Sequence, residues 1–288
     1  MGYLHIDNLY KDQTILIFKE CYALEKIHGT SAHISWNAKE QKVKFFSGGE
    51  SHERFVSLFD VEFLQTKFSE LFVTSNAIIY GEAYGGKQQG MSNTYGKELK
   101  FIGFEVQVNE MWLNVPNAEG VCKSLNIEFV DYVKVSTDLD ALNSERDKPS
   151  TQAKRNGIVE DKIREGVVLK PLVEFTTNNG GRVIAKHKRD EFKETKTPRE
   201  VSPEEFKVME DAKAIAEEWV TENRLHNIFS HLSEDEKDMS NMPNILKIML
   251  EDIHREGNKE IAFTKQVDKE ICKSTAQMVK NYFVKKMG

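Results

Sequence analysis

A lysine three residues ahead of a glycine, in Leu24-Glu25-Lys26-Ile27-His28-Gly29-Thr30, is the first place where this sequence could do chemistry. Lys26 ends a β-prone run, and a lysine amine freed of its proton is a nucleophile. Four further segments follow in order. AIIYGEAYGG (77–86) is an apolar strand reaching Glu82, and KFIGFEV sets Phe104 beside Glu105. REGVVLKP places Glu165 just ahead of a β-branched strand, and VIAKHKRDEF holds Lys186 and Lys188. Side chains alternate along a strand, so those two lysines share a face. Two ammonium groups on one face, unpaired by local acids, are costly without an anion beside them, and a triphosphate would suit.

Strands must carry these groups. Two short β-prone runs flank Gly29 between Tyr22 and Trp36, and Val43 to Phe46 is a third, ending at Gly48-Gly49. Ala77 to Ala83, Lys100 to Val108, Gly166 to Lys170 and Arg182 to Lys188 are further strand candidates. Phe55, Leu58, Val61, Leu64, Phe68 and Leu71 recur at helical spacing, predicting one amphipathic helix from Glu53 to Phe72. Residues 138–157 are polar and predict a short helix plus a loop. Near Pro198 the pattern turns helical. Ser202-Pro203-Glu204-Glu205 has the form of an N-cap, a first-turn proline and a capping-box acid. Met209, Ala212, Ala216 and Trp219 continue it. Ser233 to Glu236 repeats the cap ahead of Ile245, Ile248 and Met249, and a last helix runs from about Lys259 to Tyr282. The expected fold class is α+β: an antiparallel-sheet domain over 1–197, then a small all-helical domain over 198–288.

Composition narrows the class. With 39% hydrophobic and 30% charged residues the chain is an ordinary globular one. No run nears the ~18 apolar residues of a membrane span, and the N-terminus lacks a signal layout, so a cytoplasmic protein is expected. Cys21, Cys122 and Cys272 are too far apart for a metal knuckle and fit a reducing compartment. A net charge of −6 argues against a simple nucleic-acid coat. Contact with nucleic acid would need a local patch, such as Arg182, Lys186, Lys188, Arg189, Lys193 and Lys196. There is no Walker-type phosphate loop, no zinc spacing among the histidines, and no Gly-x-Ser-x-Gly elbow.

The ordered set around Lys26, Glu82, Phe104, Glu165, Lys186 and Lys188 resembles the covalent nucleotidyltransferases, the superfamily of ATP-dependent ligases and capping enzymes. EKIHGT and the helical tail are similar to the double-strand-sealing RNA ligases of phages and the kinetoplastid RNA-editing ligases. The resemblance implies antiparallel, ATP-grasp-like sheets holding ATP, and Lys26 attacking its α-phosphorus to become lysyl-AMP. AMP would pass to a 5′-phosphate end, and a 3′-hydroxyl would then close the phosphodiester, at nicked or bridged duplex RNA. Glu165 would hold Mg²⁺, Glu82 the ribose hydroxyls and Phe104 the adenine. Lys186 and Lys188 would hold phosphate, His28 would assist transfer, and Glu25 and Ile27 would flank the nucleotide. A free lysine, with a pKa of about 10.4, is protonated at neutral pH. The resemblance leaves its activation to Lys186, Lys188 and the metal.

The sequence departs from that family at two places. Ser47-Gly48-Gly49 stands where an arginine is expected, and Ser31 where asparagine is common. Other readings remain: a DNA ligase or guanylyltransferase of the same superfamily, or an inactive RNA-binding module. A helical tail is no OB barrel, which needs about five strands, and this sets the chain apart from DNA ligases and capping enzymes.

Overall fold

A computed structural model gives the architecture and describes residues 3–177, 180–197, 201 and 211–287. Two compact units make up the chain, Met1–Arg189 and Asp190–Gly288.

The first unit is built on two antiparallel sheets. One contains β1 (Glu20–Lys26), β7 (Tyr132–Ser136), β8 (Gly166–Pro171) and β9 (Ala185–Lys188), in the order β7-β1-β8-β9. The other contains β2 (Thr30–Asn37), β3 (Lys42–Ser47), β4 (Ala77–Tyr84), β5 (Lys100–Val108) and β6 (Met111–Trp112), in the order β3-β2-β4-β5-β6. Strand β2 shows why: Ala32, Ile34 and Trp36 are buried, while the intervening Ser31, His33 and Ser35 are only partly so. The buried face packs Phe55 of α1 (His52–Val56), Leu64 and Phe68 of α2 (Val61–Leu71), and Cys122 of α4 (Val115–Ser124). The short helices α3 (Ser92–Tyr95), α5 (Leu139–Arg146) and α6 (Thr151–Arg155) complete the unit.

Local chemistry corrects several expected boundaries. The single helix expected over 53–72 is two, because Asp60 accepts from Phe63 N at 3.0 Å and starts a fresh N-terminus. Leu58, Val61 and Leu71 consequently stay more than a third exposed. The polar stretch 138–157 holds two helices, α6 being capped by Ser150. Strand β9 begins at Ala185 rather than Arg182, whose side chain enters a buried ion cluster instead. Between β4 and β5 the register shifts: Tyr80 faces Glu105 and Gly81 faces Gly103, leaving Phe104 as the extra residue of a bulge.

The second unit is helical: α7 (Ala212–Trp219), α8 (Glu222–Ser230), α9 (Met242–Glu256) and α10 (Lys265–Met287), with no strand among its described residues. Trp219, Leu225, Met249, Ile253 and Ile271 form its core. The capping box at Ser233 and Glu236 is present, but it closes a single 3-10 turn, and α9 starts only at Met242. The last helix likewise begins at Lys265, after Lys259 adopts a φ of 71°. The cap expected at Ser202–Glu205, with Met209, lies outside the described residues. No described helix is long and apolar enough to cross a membrane.

Candidate active site

Lys26 ends β1 opposite Gly166 of β8, and Gly166 stands opposite Lys188 of β9. Opposed residues of antiparallel strands point the same way, so Lys26 and Lys188 rise from one face. Glu165, the residue before β8, enters between them. Its Oε2 accepts from Lys26 Nζ at 3.0 Å and meets His28 Nδ1 at 3.0 Å, while its Oε1 meets Lys188 Nζ at 3.0 Å. The carboxylate is 1% exposed, whereas Lys26 keeps 25% of its side chain in solvent. Burial alone would raise the Glu165 carboxyl, yet Lys26, Lys188 and His28 override it and hold it well below the usual range. One anion therefore gathers two lysine amines and an imidazole. Gly166 makes the close approach possible: at its φ of 151°, a Cβ would sit 2.2 Å from His187 O.

The turn after Lys26 is held equally tightly. His28 N donates to the Tyr95 hydroxyl at 3.3 Å, Gly29 N to Glu82 Oε1 at 3.2 Å, and Gln89 Nε2 to Gly29 O at 3.3 Å. A Cβ on Gly29 would lie 2.3 Å from Ala83 O, which explains the glycine of the Lys-x-x-Gly pattern. Gly29→Ala is expected to cost about 1–3 kcal/mol, the usual penalty of forced overpacking. A thermal melt matching that of the unaltered chain would show the turn to be yielding.

Glu82 reaches the same place from the other sheet. Burial of its carboxyl end pushes it up to about 8, with Lys26 opposing and Glu165 reinforcing the rise. Because the folded value exceeds the ordinary 4.5, the folded chain keeps a proton that the unfolded chain sheds. Stability should fall as pH rises through that window, and Glu82→Gln should flatten the fall. Melting curves of both proteins between about pH 5 and about pH 9 check this, parallel curves being the contrary result.

A family model described as RNA ligase matches residues 19–188, more than half of the chain and all of the residues just described. The chain belongs to the RNA ligase family. Solved structures of Naegleria gruberi RNA ligase, one with pyrophosphate and one of a variant with ATP and manganese, each superpose at a TM-score of 0.50 and 14% identity. In both, the match covers 67% of this chain and 57% of that ligase, so the chain spans just over half of that ligase's length. At such identity the likeness is one of fold, the antiparallel-sheet nucleotidyltransferase fold. A search of curated proteins found no match.

Within this RNA ligase family member, Lys26, His28, Glu165 and Lys188 converge, and Glu82 joins them through Gly29. Lys186 lies on the same face as Lys188, opposite Val168, its backbone tied to Asp7 and Leu9. Phe104, aimed by its bulge, packs edge-on against Tyr3 at 4.9 Å. Alternation turns Glu25 and Ile27 to the other side of β1. Glu25 accepts from Ser150 Oγ, Thr151 N and Gln152 N at the start of α6, and Ile27 lies in the core. Three of the six members of the expected basic patch are compensated internally. Arg182 pairs with Glu105 and with Glu174 at 2.7 Å, Lys188 with Glu165, and Lys193 with Asp190 at 2.5 Å.

Sequence reasoning missed a second buried cluster between the sheets, where Glu105 takes Lys170, Arg182 and the Tyr3 hydroxyl. Its signal was present: Lys170 stands four residues after Gly166, on the face that bears Lys26. Tyr95, Gln89 and the buried Arg164, held by Glu145 and Pro149 O, left no such trace.

Proposed function

We propose that the chain is an ATP-dependent RNA ligase that joins 5′-phosphate and 3′-hydroxyl ends through lysyl-AMP, at nicks in duplex RNA. The observation that carries this reading is the gathering of Lys26, His28 and Lys188 on the single buried carboxylate of Glu165. In the resting site Lys26 donates to Glu165, so it must leave that carboxylate and shed a proton before it attacks. The amine nitrogen then bonds the α-phosphorus of ATP, and the bond to the bridging oxygen breaks as pyrophosphate departs with the electron pair. A 5′-phosphate oxygen of the RNA next takes the adenylate, restoring the amine. A 3′-hydroxyl finally attacks that 5′-phosphorus, forming the phosphodiester, expelling AMP and losing its proton.

The remaining groups serve phosphate charge. Lys188 and Lys186 sit on the face from which Lys26 rises, where a polyphosphate would replace Glu165 as the anion of Lys188. The pyrophosphate, and the ATP with manganese, in the similar Naegleria structures support a nucleotide and a divalent metal. Among the described residues no three His, Cys, Asp or Glu gather as a metal-holding group. That fits Mg²⁺, which takes one or two protein carboxylates, here Glu165, and fills its shell with water and phosphate oxygens. Bound there, it would neutralise charge developing on the phosphates. Phe104 is the ring offered to adenine and Glu82 the acceptor offered to the ribose.

The double-strand-sealing subfamily is part of this proposal, supported by EKIHGT and by the helical second unit. Incubation with ATP and Mg²⁺ should add one adenylate to the intact mass, mapping to the Lys26 peptide and lost in mild acid. The same protein should then seal a nicked RNA duplex. An unchanged mass would sink the reading.

A further inference from the structure

Rings from four strands of the five-stranded sheet line up on the face opposite its packed core. Phe46 of β3 stands opposite His33 of β2, and His33 opposite Tyr80 of β4. Phe46 and His33 stack at 4.9 Å and 22°, and His33 meets Tyr80 at 5.7 Å. Tyr80 meets Trp112 of β6 at 5.4 Å, and the Arg182 guanidinium lies 4.0 Å above the Trp112 ring.

The two halves of this row of rings differ. Tyr3 packs on Tyr80, Phe104 and Trp112 and closes the inner half. At the outer half Phe46 is 44% exposed, on the edge strand of the sheet. An exposed flat ring on an edge strand is an association hazard unless a partner covers it. Burial lowers the His33 imidazole below its ordinary value, which favours the neutral ring beneath Phe46. Ser31 and Glu82 face each other two residues along the same strands, so the open half lies one side-chain row from the nucleotidyl site. Ser47-Gly48-Gly49 follows directly, and the strand end where the resemblance expects a cation offers a ring instead.

We propose that the Phe46–His33 pair is a stacking platform for a nucleobase of the RNA being joined, splayed out of its stack beside the break, an inference that rests on the ligase reading above. Every base has a π-face, and sheet-borne rings take splayed single-stranded RNA in this manner. Continuity with the Glu82 row selects the nucleotides that flank the break.

The test is fluorescence anisotropy with an end-labelled single-stranded oligoribonucleotide at one fixed salt concentration. Phe46→Leu keeps an apolar side chain but removes the ring, and should weaken binding about tenfold. Phe46→Trp should bind at least as tightly as the unaltered chain. Both variants should take up adenylate from ATP normally, which also reports that they fold. RNA binding by Phe46→Leu equal to that of the parent, or none by the parent, overturns the platform. If the parent takes up no adenylate while Phe46→Leu still loses RNA, the ligase reading fails and the platform stands.

Discussion

Lys26→Ala is expected to take up no adenylate from ATP, at least about 10⁴-fold below the parent, because the amine that would form the phosphorus–nitrogen bond is gone. The same variant should still join RNA that already carries a 5′-adenylate, within about tenfold of the parent, since the last step uses the 3′-hydroxyl as nucleophile. That split separates a nucleophile from a residue that merely shapes the site. The fold should hardly notice. Lys26 keeps a quarter of its side chain in water, and Glu165 retains Lys188 and His28 when it is gone. A loss below about 1 kcal/mol follows, typical of a partly exposed pair. Intact mass after ATP treatment, gel assays on pre-adenylated RNA and a thermal melt provide the three readouts. Adenylation of Lys26→Ala at the parental rate would place the nucleophile elsewhere.

The strands that carry the site were legible because each chemical residue lies in or next to a β-prone run: Lys26 and Lys188 at strand ends, Glu165 just ahead of one, and Glu82 beside Gly81 within one. Strand alternation could have turned Glu25 and Ile27 away from Lys26, since neighbours on a strand face opposite sides. What stayed hidden was pairing across the cleft. Lys188 looked uncompensated because its acid, Glu165, lies far from it in sequence and meets it only through the β8–β9 register. Arg182 read as part of a basic surface for the same reason, with Glu105 supplied by the other sheet. The break at Asp60 was hidden differently. A continuous apolar stripe runs through it, and only the local carboxylate-to-amide bond reveals that the helix restarts.

Glu165→Ala should be the most damaging single change to both stability and chemistry. It removes the carboxylate that Lys26, His28 and Lys188 share, and breaking a buried ion cluster from one side costs about 3–5 kcal/mol. For a unit of this size that is a fall in Tm of about 10 °C. The folded value of Glu165 lies below the ordinary one, so its contribution is present above the ordinary 4.5 and fades as pH falls through the folded value. The gap between parent and variant should therefore be widest near neutrality and close in acid. Adenylation should drop by at least about 10²-fold, the scale of losing one preorganised electrostatic partner. Pyrophosphate decides between this account and a simple packing defect. If the cations are placed for phosphate, added pyrophosphate should raise the Tm of Glu165→Ala more than that of the parent, because the ligand supplies the missing negative charge. An equal rise in both proteins would mean that Lys26, His28 and Lys188 hold Glu165 for the sake of the fold alone.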